Sequence, residues 1–175
     1  MFRLGLIINP IAGIGGAVGL KGSDGMVAEA LARGAMPKAR ERARQALLPL
    51  CSLTDQFELL TVAGEMGETL AAELHLPHRI LYQPAGAQTC AEDTRAAALA
   101  LRAAGVDPLL FAGGDGTARD ICAAVGESCH VLGIPAGCKI HSGVYGVTPT
   151  ASGRVAARMI AGELLSLVDA EVMDI

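Results

Sequence analysis

The sequence predicts an α/β protein with a mainly parallel sheet, and three observations carry that reading. Runs such as Leu4–Ile8 and Leu109–Ala112 are apolar on both faces, as strands covered by helices on both sides must be. These runs alternate along the chain with segments of helical periodicity. Glycine or proline stands at most of the changeovers, and 22 of the 175 residues are glycine, well above the usual share of about 7%.

Arg3–Asn9 reads as the first strand, ended by Pro10 because proline donates no ladder hydrogen bond. A glycine-rich loop follows over Ile11–Gly25. Met26–Arg33 reads as a helix stopped by Gly34. Pro37 suits a first helical turn, and Lys38–Leu48 continues as an amphipathic helix with Arg40, Arg42 and Arg44 on its solvated side. Phe57–Val62 is the second strand, Gly67–Leu74 a short helix and Arg79–Gln83 a third strand. Thr89 and Glu92 have capping-box spacing and open an Ala/Leu helix that stops at Gly105. Leu109–Ala112 is the fourth strand, and Gly113-Gly114-Asp115-Gly116-Thr117 is the turn after it. Ala118–Val125 is a helix ended by Gly126. His130–Ile134 is a strand ended by Pro135. A polar loop leads to Thr150, and Ala151–Ile160 is the last helix. From Val168 to Ile175 apolar and charged residues alternate, the period-two signal of a half-buried strand.

Hydrophobic residues make up 51% of the chain and charged residues 18%, so one domain with a real core is expected. Aromatic residues are 3% and the net charge is −4, which argues against a nucleic-acid binder: there are neither stacking platforms nor a basic stripe. The uncharged stretch Leu4–Leu20 is broken by Asn9-Pro10 and by Gly13, Gly15, Gly16 and Gly19, and falls short of the ~20 apolar residues of a spanning helix. A soluble, cytoplasmic protein without membrane contact is expected. The five cysteines are scattered with no C-x-x-C pair, and the four histidines do not cluster with them. They read as small buried hydrophobes, with no metal site among them.

In parallel α/β sheets ligands lie beyond the carboxyl ends of the strands. Here those ends carry Asn9-Pro10, the Gly113–Thr117 turn and the Pro135-Ala136-Gly137 loop. No Walker A loop is present, and Gly13-x-Gly15 lacks the third glycine of a dinucleotide fingerprint, where Val18 stands. The Gly113–Thr117 turn is the most specific feature. Gly113 and Gly114 allow close approach of backbone to phosphate. Thr117 can cap the next helix, whose free N–H groups favour an anion. Asp115 does not suit direct phosphate binding, since like charges repel. It suits a general base on a hydroxyl or a partner of Mg²⁺.

The Gly-Gly-Asp-Gly-Thr string resembles the signature of the NAD kinase, diacylglycerol kinase and sphingosine kinase superfamily. Leu6-Ile7-Ile8-Asn9-Pro10-Ile11-Ala12-Gly13 resembles its first strand and Asn-Pro-x-(Ser/Ala)-Gly loop. The stretch from Ala91-Glu92-Asp93-Thr94 to Asp120, with Val131–Val144, is similar to the ATP-NAD kinase-like branch, some of whose members are called acetoin catabolism protein X. The resemblance implies a Rossmann-like mainly parallel sheet flanked by helices. It implies phosphoryl transfer from ATP, or another phosphate donor, to a hydroxyl, with Mg²⁺ and with NAD as acceptor at its 2′-hydroxyl. Asp115 matches the catalytic base. Asn9, Gly13, Gly113, Gly114, Gly116 and Thr117 match the nucleotide-binding positions.

Two departures from the family shape the expectation. After Leu132-Gly133-Ile134 typical NAD kinases carry Asn-x-Gly-x-Leu-Gly-Phe, whereas Pro135-Ala136-Gly137-Cys138-Lys139-Ile140-His141-Ser142-Gly143 stands here. Lys139 and Ser142 on this loop are candidate phosphate contacts, and His141 a candidate for orienting the acceptor hydroxyl. Members also carry a β-rich C-terminal domain. Residues 1–166 are therefore expected to form the nucleotide-binding kinase domain, and 167–175 the start of a second domain absent from this chain. On that expectation the chain binds nucleotide weakly, phosphorylates NAD slowly and forms a homo-oligomer through its terminal strand. Two other functions remain open: a non-catalytic nucleotide-binding or regulatory module, and a lipid-type kinase resembling diacylglycerol kinase.

Overall fold

The computed structural model describes residues 2–10, 39–84, 91–106, 108–113, 115–126, 131–135, 145–146, 149–161 and 172–173. In chain order these form β1 (Phe2–Ile8), α1 (Ala39–Leu47), β2 (Phe57–Val62), α2 (Glu68–Glu73), β3 (His78–Tyr82) and α3 (Ala91–Ala103). Then come β4 (Leu109–Gly113), α4 (Asp115–Val125), β5 (Val131–Pro135), β6 (Tyr145–Gly146), α5 (Pro149–Ile160) and β7 (Val172–Met173). Short 3-10 turns cover Leu48–Leu50 and Gly64–Met66. The expected helix over Met26–Arg33, the first glycine loop and the Thr89 capping position lie outside the described residues.

The strands form one sheet in the order β3-β2-β1-β4-β5-β6-β7. Pairing is parallel from β3 through β6, and only β7 runs antiparallel, against β6. The sheet is therefore α/β and Rossmann-like, with β1 and β4 in its interior. The chain fills one side of β1 with β2 and β3, then crosses to the other side for β4 and β5. In sheets of this kind such a reversal opens a crevice at the switch point, which here lies at the carboxyl ends of β1 and β4.

Side chains alternate across each strand, so the sheet has two cores. Leu4, Leu6 and Ile8 of β1 join Phe57, Leu59, Leu110 and Ala112 on one face, beneath α1, α2 and α5. Ile7 joins Leu60, Val62, Leu109 and Phe111 on the other, beneath α3 and α4. This double cover explains why the central strands read as unbroken apolar runs. β3 is an edge strand, and its residues are only half-buried or exposed. Helices α3 and α4 end as the sequence predicts. Gly105 (φ +80°) and Gly126 (φ +57°) take the left-handed conformation that closes a helix and disfavours other residues.

Thr61, fully buried on β2, donates its hydroxyl to the Leu6 carbonyl at 2.8 Å and ties the two strands beyond their ladder. Thr61→Val keeps the shape and loses that bond. It is expected to cost about 1 kcal/mol, a fall in Tm of roughly 2–4 °C for a chain of this size, measurable by calorimetry.

Several expectations need correction. Helix α4 begins at Asp115, three residues before Ala118, so Thr117 sits inside its first turn and is not its cap. Helix α5 begins at Pro149, where a proline needs no amide partner. The loop before it contains β6, a strand too short to show a period. Val172–Met173 finds a partner upstream, in Tyr145–Gly146, at the end of the same sheet. The arginine face of α1 is less free than expected: Arg40 pairs with Glu65 and Glu73, and Arg44 with Glu73. Such half-exposed pairs each add at most about 1 kcal/mol.

Of the two described thiols Cys51 packs against the core and Cys122 departs from the expectation. Cys51 is half-buried, its thiol donating to the Leu47 carbonyl at 3.6 Å, and Cys122 is exposed. Ala118, Ile121 and Val125 of α4 face the sheet, and Cys122 lies at the margin of that stripe with its side chain exposed. The shielding that its neighbours do provide pushes the Cys122 thiol above its ordinary pKa, the opposite of an activated nucleophile.

Candidate functional site

The crevice between β1 and β4 brings together two motifs that are far apart in sequence. Asn9 follows β1 directly, and its backbone N–H donates to the Ala112 carbonyl at 2.9 Å, extending the pairing with β4 by one residue. Its side-chain Nδ2 donates to Thr117 Oγ1 at 3.1 Å. The Asn-Pro position is thus fastened both to the last strand residues before the Gly113–Thr117 turn and to the helix that leaves it.

The glycines of that turn differ in what the fold asks of them. A Cβ on Gly113 would run into the Thr117 side chain, lying 2.6 Å from its Cβ and 2.9 Å from its Cγ2. Gly113 therefore lets Thr117 lie against the end of β4, where it is 5% exposed. Among the described residues a Cβ on Gly116 would meet nothing within 4 Å, and Gly116 is exposed. Among the described residues no packing contact requires that glycine, which leaves room there for a ligand. Gly113→Ala is expected to displace Thr117 and lower stability by about 1–3 kcal/mol, the usual cost of overpacking. Chemical denaturation measures it, and an unchanged midpoint contradicts the contact.

Asp115 is the first residue of α4. Its backbone stands at the positive end of the helix, where the unpaired N–H groups and the helix dipole favour an anion. Asp120, five residues along, accepts from Arg95 of α3 at 2.9 Å. That ion pair clamps α3 to α4. Asp93, in the first turn of α3, is nearly buried and accepts from the Tyr82 hydroxyl at 2.8 Å. Sequence reasoning gave Tyr82 no role, since nothing in a lone tyrosine at a strand end signals a partner eleven residues on. Among the described residues no three His, Cys, Asp or Glu side chains gather to hold a metal. Among them, too, no helix is long and apolar enough to cross a membrane.

Asn9, Gly113, Asp115, Gly116 and Thr117 are thus placed around one crevice by the sheet order and the bonds above. Gly13, Gly114, Lys139, His141 and Ser142 lie outside the described residues. Among curated proteins and solved structures none matches the chain. The family model for the ATP-NAD kinase N-terminal domain matches residues 4–164. That span holds the β1-to-β5 sheet, the Asn9–Thr117 contact and the Asp115 turn, and the chain belongs to the ATP-NAD kinase N-terminal domain family, a kinase-type phosphotransferase fold.

Proposed function

We propose that this domain binds ATP, or another phosphate donor, at the β1–β4 crevice and serves its transfer to the 2′-hydroxyl of NAD, giving NADP. The observation that carries the reading is the Asn9–Thr117 hydrogen bond, which joins the Asn-Pro loop and the Asp115 turn into one structure at the switch point. Phosphoryl transfer asks a protein mainly for positioning and charge neutralisation. The first turn of α4 offers amide donors to phosphate oxygens, and the open space at Gly116 lets them approach. Gly13, Gly114, Lys139 and Ser142 complete the phosphate contacts on this reading.

Asp115 draws the proton from the acceptor hydroxyl. The hydroxyl oxygen forms a bond to the γ-phosphorus, the bond from that phosphorus to the β–γ bridging oxygen breaks, and ADP leaves with that electron pair. Mg²⁺ is commonly held by substrate phosphates and one or two carboxylates. With Asp115 serving as the base, the substrate phosphates would hold the ion here, and it would neutralise charge on the transferred group.

The test is a coupled assay on the purified chain with ATP, Mg²⁺ and NAD, reading NADP through an NADP-specific dehydrogenase, beside calorimetry of ATP binding. NADP formation above the enzyme-free rate is expected. ATP binding with no NADP formed supports the non-catalytic module instead, and no ATP binding removes the reading.

A further inference from the structure

Thr117 is 5% exposed, and its oxygen accepts the Asn9 Nδ2 hydrogen bond at 3.1 Å. A primary amide nitrogen only donates. The Thr117 hydroxyl hydrogen must therefore point away from Asn9, and among the described residues it meets no acceptor. A hydroxyl donor left unmet in a buried place is costly, so an acceptor brought by a ligand would find it ready. Both partners are held firmly. The Asn9 backbone is bonded to Ala112, and Thr117 is wedged into the space that Gly113 leaves. What Asn9 adds is the direction of the bond.

We propose that Asn9 is a positioning residue that sets the polarity of Thr117: by donating to Oγ1 it holds the threonine hydroxyl as a donor toward a phosphate oxygen of the bound nucleotide. This rests on the nucleotide reading of the crevice given above. An aspartate at position 9 has nearly the same shape and accepts only. It would take the Thr117 proton for itself and turn the hydroxyl oxygen, rather than its hydrogen, toward the ligand.

The experiment measures Mg²⁺–ATP affinity by calorimetry for the purified full chain and its variants, with Tm recorded for each. A hydrogen bond to a charged group is worth about 1.5–3 kcal/mol, so Asn9→Asp is expected to weaken ATP about 10–100-fold. Thr117→Val is expected to lose a similar amount, and Thr117→Ser, which keeps the hydroxyl, to remain within about threefold of wild type. The double variant Asn9→Asp/Thr117→Val separates polarity from simple charge repulsion, because two changes acting through one proton do not add. It should bind no more weakly than Thr117→Val alone. Multiplying losses, or wild-type affinity in Asn9→Asp, overturns the proposal while leaving the nucleotide reading intact. Should Asn9→Asp fail to fold, the Thr117→Val and Thr117→Ser pair decides it: equal affinities sink it. A wild-type chain that does not bind ATP sinks both readings.

Discussion

Asp115→Asn is expected to lower turnover by about 10²–10⁴-fold while leaving nucleotide affinity nearly unchanged, the usual share of a general base. Asparagine keeps the size of the side chain and its place at the start of α4. It removes the basic oxygen that takes the acceptor proton on the proposed mechanism. Loss of turnover without loss of affinity separates this role from a packing role, which would lower both together. Steady-state NADP formation and ATP calorimetry on the same preparations check it. Retained turnover in Asp115→Asn assigns the proton to another group.

The largest stability effect is expected far from the crevice, at Gly153. This residue lies in α5 where that helix crosses α1, and a Cβ there would strike the Ala46 carbonyl and lie 2.8 Å from its carbonyl carbon. The obstacle is backbone, which has no rotamer to change. Helix propensity alone favours alanine over glycine by about 1 kcal/mol, so propensity and packing predict opposite signs. Packing should win. Gly153→Ala is expected to destabilise, and Gly153→Val to cost about 3 kcal/mol by forcing α1 and α5 apart over Ala156 and Ile160. That is a large part of the roughly 5–15 kcal/mol that holds an ordinary domain together. Urea denaturation of the two variants gives the answer, and a stabilised Gly153→Ala refutes the close crossing.

The local elements were legible in the sequence because each is written in a short window. β1, β2 and β4 appear as apolar runs, and Gly105 and Gly126 mark the ends of α3 and α4. The Gly113–Thr117 string carried the family resemblance through residue types alone, and the family model agrees with that resemblance. Boundaries were less secure. Asp115 and Gly116 look like turn residues, yet the helix already includes them, since a first helical turn uses no amide of its own and tolerates such residues.

The tertiary structure alone decided which of these elements meet. Asn9 and Thr117 are 108 residues apart, and no periodicity says that β4 lies beside β1. Their bond exists because the sheet order reverses at that point. Gly153 reads as a poor helix residue until Ala46 is set against it. The exposure of Cys122 and the pairing of β7 with β6 likewise follow from neighbours distant in the chain. Sequence windows record whether a residue favours a turn, a strand or a buried face. They do not record which distant surface supplies the burial, because that choice is made by the whole core at once.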